Sequence, residues 1–235
     1  MSKKKSNKIS EFLKGICLIL LLIAVILGIN VYLTKLNTQD TVEEQFYQYF
    51  GGVKTEYDGV MSITKKGEIT ELRTKEGAIN LDSTPVYYKN SSKVLFPETM
   101  AKVEGSNNGK MTKIERFSTL EKEEESIYLV RKKERKLLEN SFLWDGSDMY
   151  FFLGNATLSV NNETYELSPF SYIIASYKNG VEIYNYQKDE YKIIESKDSI
   201  YVTTDNYTID TTTDVLKYGE KEQLLLKNID KLQAE

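Results

Sequence analysis

The sequence predicts a mainly β extracytoplasmic domain held to a membrane by an N-terminal transmembrane helix. Three observations carry this. Residues 15–33 form an uncharged apolar run. From residue 53 onward, turn-forming pairs recur at roughly 8–12-residue spacing, as in a sandwich, barrel or stacked meander of antiparallel hairpins. The chain also holds 17 Tyr and only 3 Pro, with frequent Val, Ile and Thr, a composition that favours strands.

The apolar run reads GICLILLLIAVILGINVYL, with Asn30 its one amide. As a helix, residues 15–33 would be about 28 Å long, close to the ~30 Å hydrocarbon core. Lys3, Lys4, Lys5, Lys8 and Lys14 precede it, so residues 1–14 read as a basic cytoplasmic tail and the rest of the chain as lying outside. No small-residue cleavage site follows, which favours an uncleaved signal anchor over a signal peptide. Cys17 reads as a small apolar helix residue.

Residues 34–52 are expected to continue as a helical neck, because Val42, Phe46 and Tyr49/Phe50 recur at helical spacing and Gly51-Gly52 then stops it. Residues 53–235 form the β-rich domain. Lys65-Lys66-Gly67, Asn161-Asn162 and Asn179-Gly180 read as hairpin turns, and Tyr57-Asp58-Gly59 as the opening of a strand. A sub-boundary falls near residues 119–140, where charge runs concentrate. Leu224, Leu225, Ile229 and Leu232 share one helical face, predicting a short C-terminal helix over residues 220–232.

Composition excludes several chemistries. The chain has no His and one Cys, so a Ser-His-Asp triad, a Cys-His pair, a histidine-ligated zinc and an internal disulfide are ruled out. Ser62 and Lys65 match an S-x-x-K pattern, but they lie in a predicted strand and turn instead of at a helix start. Asp145/Asp148 and Asp205/Asp210 sit at predicted turn tips, where turn chemistry explains them. Asp145-Gly146-Ser147-Asp148 lacks the spacing of a dedicated calcium loop. No cofactor is expected.

Net charge is −4. Residues 1–35 hold six Lys and one Glu, which leaves the outer part near −9 and makes nucleic acid a poor partner. Lys outnumbers Arg 27 to 4, a bias typical of AT-rich bacterial genomes. The sequons at Asn90, Asn155, Asn162 and Asn206 then read as ordinary surface positions. Arg131, Lys132, Lys133, Arg135 and Lys136 follow an acidic run and form a candidate patch for an anionic partner: envelope polymer, lipid head group or acidic protein. Ten of the 17 Tyr lie between Tyr150 and Tyr218, covering the core or offering faces to sugars.

The expected function is that of a single-pass, membrane-anchored envelope protein with a non-catalytic interaction or scaffold domain, part of a surface or secretion assembly. A cell-wall glycan-binding module is the first alternative and a carboxylate-dependent envelope hydrolase the second.

Overall fold

The computed structural model describes residues 16–17, 19–33, 38–74, 77–78, 84–104, 110–138, 141–176, 180–218 and 221–224. Residues 16–17 and 19–33 are helical, and their large apolar side chains are 40–64% exposed. Among the described residues no helix is long and apolar enough to cross a membrane. The stretch 19–33 alone extends about 22 Å, short of the ~30 Å core.

β1 (Thr38–Phe50) and β2 (Val53–Thr64) pair in a long hairpin around Gly51-Gly52, whose φ values of +52° and +81° suit a two-residue turn. β3 (Ile69–Thr74) and β4 (Gly77–Ala78) extend one side, while β5 (Val86–Tyr88) and β6 (Lys93–Leu95) add on the other. The chain then leaves this first sheet. It forms β7 (Met100–Glu104) and β8 (Lys110–Ile114), the opening hairpin of a second sheet. It returns to lay β9 (Thr119–Glu123) against β6, followed by β10 (Ser126–Arg131) and β11 (Glu134–Leu138).

The same excursion recurs one layer on. β12 (Ser141–Trp144) and β13 (Met149–Phe152) extend the second sheet from β7, and β14 (Ala156–Val160) with β15 (Glu163–Leu167) opens a third. β16 (Tyr172–Ser176), β17 (Gly180–Asn185) and β18 (Glu190–Ile194) return to β13. In the third sheet β19 (Tyr201–Thr203) and β20 (Thr208–Asp210) continue from β14. A turn over residues 211–214 replaces the excursion, and β21 (Val215–Tyr218) and β22 (Lys221–Leu224) follow at once. Every pairing is antiparallel.

The three sheets are therefore variations on one plan, each interlocked with the next by an exchanged hairpin. The re-entry points show it in detail. Phe96 donates its N–H to the Ser118 carbonyl (3.0 Å) and accepts from Phe117 N–H (2.8 Å). Phe152 makes the matching pair with Ser171 (2.9 Å) and Phe170 (2.9 Å). Phe117 and Phe170 both hold positive φ, 59° and 71°.

Packing follows from the layering. Between the first and second sheets lie Tyr87, Val94, Leu120, Leu143, Phe151, Tyr172 and Tyr184. Between the second and third lie Trp144, Phe152, Ile173, Ile183, Leu158, Val202 and Leu216. The second sheet is covered on both faces, so Met149–Phe152 is apolar at every position and fully buried, as in strands of a sandwiched layer. The third sheet ends the stack with a polar outer face: Thr157 opposes Thr203, Thr203 opposes Thr208, and Thr208 opposes Lys217. A solvated outer face is what a terminal layer of a stacked array needs. The outer face of the first sheet instead buries Phe46, Met61, Leu72, Val86, Tyr88 and Leu95 within its own curl.

Three expectations are corrected. Residues 38–50 of the predicted helical neck are strand β1. A four-residue spacing is even, so Val42 and Phe46 share a strand face as readily as a helix stripe, while Tyr47 and Tyr49 fill the opposite face. Gly51-Gly52 is accordingly a hairpin turn and not a helix stop. The predicted C-terminal helix is, over residues 221–224, strand β22 paired with β21; residues 225–232 lie outside the described residues. Residues 119–138 form three strands of the first sheet, and the next described strand, β12, belongs to the second. Gly59 lies inside β2, where a Cβ would come 2.5 Å from the buried Phe46 ring.

Candidate functional site

Tyrosines dominate the seam between the first two sheets. Tyr49 and Tyr184 both donate to Asp189 Oδ1, at 3.2 and 3.1 Å, and Lys54 Nζ donates to Oδ2 at 2.6 Å. The Tyr47 hydroxyl lies 3.0 Å from that of Tyr184. Asp189 sits in the turn between β17 and β18 at φ 47°, so one turn residue of the second sheet gathers side chains from β1, β2 and β17. Burial pushes the Asp189 carboxyl up. The hydrogen bond and charge of Lys54, with the two hydroxyls, outweigh it and hold the group below its ordinary range. Tyr49 is pushed up to about 12 by burial and by Asp189; Tyr47 and Tyr184 move further up, chiefly through burial. These hydroxyls stay protonated at neutral pH and act as donors.

The rings are engaged with one another. Tyr47 stacks on Tyr87 at 5.2 Å, Tyr87 on Tyr186 at 5.5 Å, and Tyr49 on Tyr191 at 5.3 Å. Lys54 Nζ lies 4.4 Å from the Tyr47 ring centre. The Tyr density of the sequence is thus used largely to zip layers together. An open cleft of about 560 Å³ borders the seam, lined by Tyr47, Lys54, Glu56, Lys89, Tyr186 and Asp189. Lys89 pairs with Glu56 at 2.7 Å there.

The predicted basic patch divides in two. Arg131, Lys132 and Lys133 lie at the β10–β11 turn. Arg131 bonds Glu68 at 3.2 Å and pairs with Glu115, and Lys132 lies 3.5 Å from Glu68. Arg135 turns away, pairing with Glu123 at 2.5 Å and stacking 3.7 Å from the Tyr128 ring centre. Lys136 is exposed on β11 opposite Leu129. The missed partners of the first group are Lys65 and Lys66, from a turn far off in sequence. Gly67 beside them has φ +80°, and a Cβ there would lie 2.7 Å from Lys133 Cγ. Two lysine-bearing turns therefore touch.

The carboxylates behave as turn residues. Asp145 accepts from the backbone N–H of Ser147 (2.8 Å) and Met149 (3.1 Å), and Asp210 from Thr212 N–H (3.0 Å). Asp205 is exposed in a turn of the third sheet. Asp214, unforeseen, accepts from Tyr150 at 2.6 Å. Burial, then Asp145 and Asp214, raises Asp148; burial likewise raises Asp214. Among the described residues no three His, Cys, Asp or Glu side chains gather in a way that could hold a metal ion. Ser62 lies on β2 and bonds Glu71 at 3.4 Å.

Two exposed aliphatic side chains lie at matching places on sheet edges. Leu137 on β11 is 56% exposed and Ile193 on β18 is 58% exposed. Each is the fourth residue after its hairpin turn. Among the described residues β11 ends the first sheet and β18 the second. Comparison with protein-family models, curated proteins and solved structures finds no match to this chain.

Proposed function

We propose that this protein is a single-pass, membrane-anchored component of a bacterial cell envelope whose β stack serves as a non-catalytic interaction or scaffold domain outside the membrane. The observation that carries the reading is the pair of equivalent edges, β11 and β18, each presenting one exposed aliphatic residue and an outer side that no strand among the described residues pairs with. A partner strand can add to such an edge through main-chain hydrogen bonds, with the aliphatic residue supplying specificity. Charged neighbours on β11, Glu134, Arg135 and Lys136, disfavour indiscriminate pairing with other copies.

The anchor rests on the uncharged run 15–33 and on a helix whose large apolar side chains are exposed among the described residues. Thirteen Leu, Ile and Val residues in that run favour insertion by roughly 4–8 kcal/mol. Lysines before it set the N-terminus inside. The expected result is that the full chain resists alkaline carbonate extraction. In a Cys17→Ser background, Asn206→Cys, in an exposed turn of the third sheet, should react with an impermeant maleimide on intact cells. Release by carbonate, or reaction only after lysis, overturns the anchor or its orientation respectively.

A further inference from the structure

The two touching turns have a surplus of positive charge and lie a bounded chain length from the end of the apolar helix. Glu68 and Glu115 are taken up by Arg131 and Lys132. Lys65, Lys66 and Lys133 are exposed, with no carboxylate partner among the described residues. Arg116, in the turn that supplies Glu115, is exposed as well, its guanidinium 4.7 Å from the centre of the Phe117 ring. The cluster is held in shape by the Gly67–Lys133 contact and by Glu68, which bridges the two turns.

Register and chain length let this cluster reach the bilayer. β1 opens at Thr38, and Thr38 pairs with Thr64, the residue immediately before Lys65. The last described helical residue is Leu33. Five residue steps span at most about 18 Å, and neighbouring strands lie about 4.8 Å apart. The turn at Lys65-Lys66 therefore lies within about 27 Å of Leu33, so with the helix ending at the outer limit of the hydrocarbon core it can reach the head groups, a zone roughly 5–8 Å deep on each side.

We infer that Lys65, Lys66 and Lys133, with Arg116 and Lys132 beside them, bind the phosphates of anionic phospholipid head groups and set the orientation of the β stack on the membrane. The inference rests on the anchored reading above. Lysines near a charged surface act as additive point charges whose attraction falls off within a Debye length of ~8 Å. Asp40 on β1 is exposed and repelled by the same surface, so attraction at the turns and repulsion at β1 together tilt the domain to one side.

The test uses full-length protein in vesicles of phosphatidylcholine alone and of phosphatidylcholine with phosphatidylglycerol. In the Cys17→Ser background, a fluorophore is placed at Thr70→Cys on β3, near the basic turns, or at Asn206→Cys on the third sheet. Quenching by a head-group nitroxide lipid is read. The inference expects quenching at position 70 to rise several-fold with phosphatidylglycerol, to fall back in high salt, and to be lost in the Lys65→Glu/Lys66→Glu/Lys133→Glu variant. Position 206 should respond to none of these. Equal quenching in both vesicle types, or quenching unchanged by charge reversal, overturns the inference while leaving the anchor intact. An acidic protein or wall polymer as the true ligand would give that result. Failure of the wild-type chain to float with neutral vesicles would instead remove the anchored reading, and the inference with it. The reversed variant should float with neutral vesicles as wild type does, which separates loss of head-group binding from loss of folding or insertion.

Discussion

Gly180→Ala is expected to destabilise the β stack by about 4 kcal/mol or more, read as a lowered urea midpoint for the full chain in detergent. Gly180 begins β17 at φ +105°, a conformation that costs any residue with a Cβ. A Cβ at this position would also lie 2.0 Å from the Ile194 carbonyl oxygen and 2.7 Å from Ser196 N. Both neighbours are backbone and cannot swing aside as a flexible side chain could. β17 lies inside the second sheet, between β16 and the edge strand β18, and packs Val181 and Ile183 into one core and Tyr184 into the other, so the displaced strand disturbs both. Lys188→Ala, exposed in the following turn, should leave the midpoint within about 0.5 kcal/mol of wild type. A Gly180→Ala midpoint near wild type would show that the β17–β18 approach is not as close as described.

Phe170→Ala should lose about 3–5 kcal/mol, and Phe170→Gly no more than that. Phe170 is fully buried at the re-entry into the second sheet, its ring 5.8 Å from Phe151 and 5.5 Å from Tyr186. Its carbonyl accepts the Tyr87 hydroxyl at 2.8 Å. Removing the ring leaves a cavity between layers. Glycine normally costs about 0.5–1 kcal/mol more than alanine in a strand. Here φ is +71°, where alanine keeps a steric cost of roughly 1–2 kcal/mol that glycine escapes. The usual order is therefore cancelled or reversed. Urea midpoints in which Phe170→Gly falls below Phe170→Ala by the ordinary margin would contradict the strained junction.

The hairpins were legible because their turns are local chemistry. Asn161-Asn162 takes φ 52° and 61°, and Lys65-Lys66-Gly67 closes β2 onto β3, using residues that tolerate such backbones. β1 was not legible as a strand, since its apolar residues serve two different cores and lose simple alternation. The shared plan of the three sheets leaves a faint trace: Arg116-Phe117-Ser118 beside Pro169-Phe170-Ser171, each returning to a strand that ends near Phe96 or Phe152. Outside those junctions each layer meets different neighbours, so its side chains differ. The candidate site was half legible. A run of basic residues identified the β10–β11 turn, but only the curl of the first sheet brings Lys65 and Lys66 to it. Asp189 carried no signal, because its role depends on Tyr49, Tyr184 and Lys54 converging from distant strands.

The most direct test of the proposed interaction role is photo-crosslinking in native membranes. A photoreactive residue at Ile193 or Leu137 replaces an exposed edge side chain without touching either core. The account predicts one discrete protein adduct, the same from both sites. No protein adduct from either site, together with saturable retention of the full chain on purified cell-wall polysaccharide, would contradict it and favour the glycan-binding alternative.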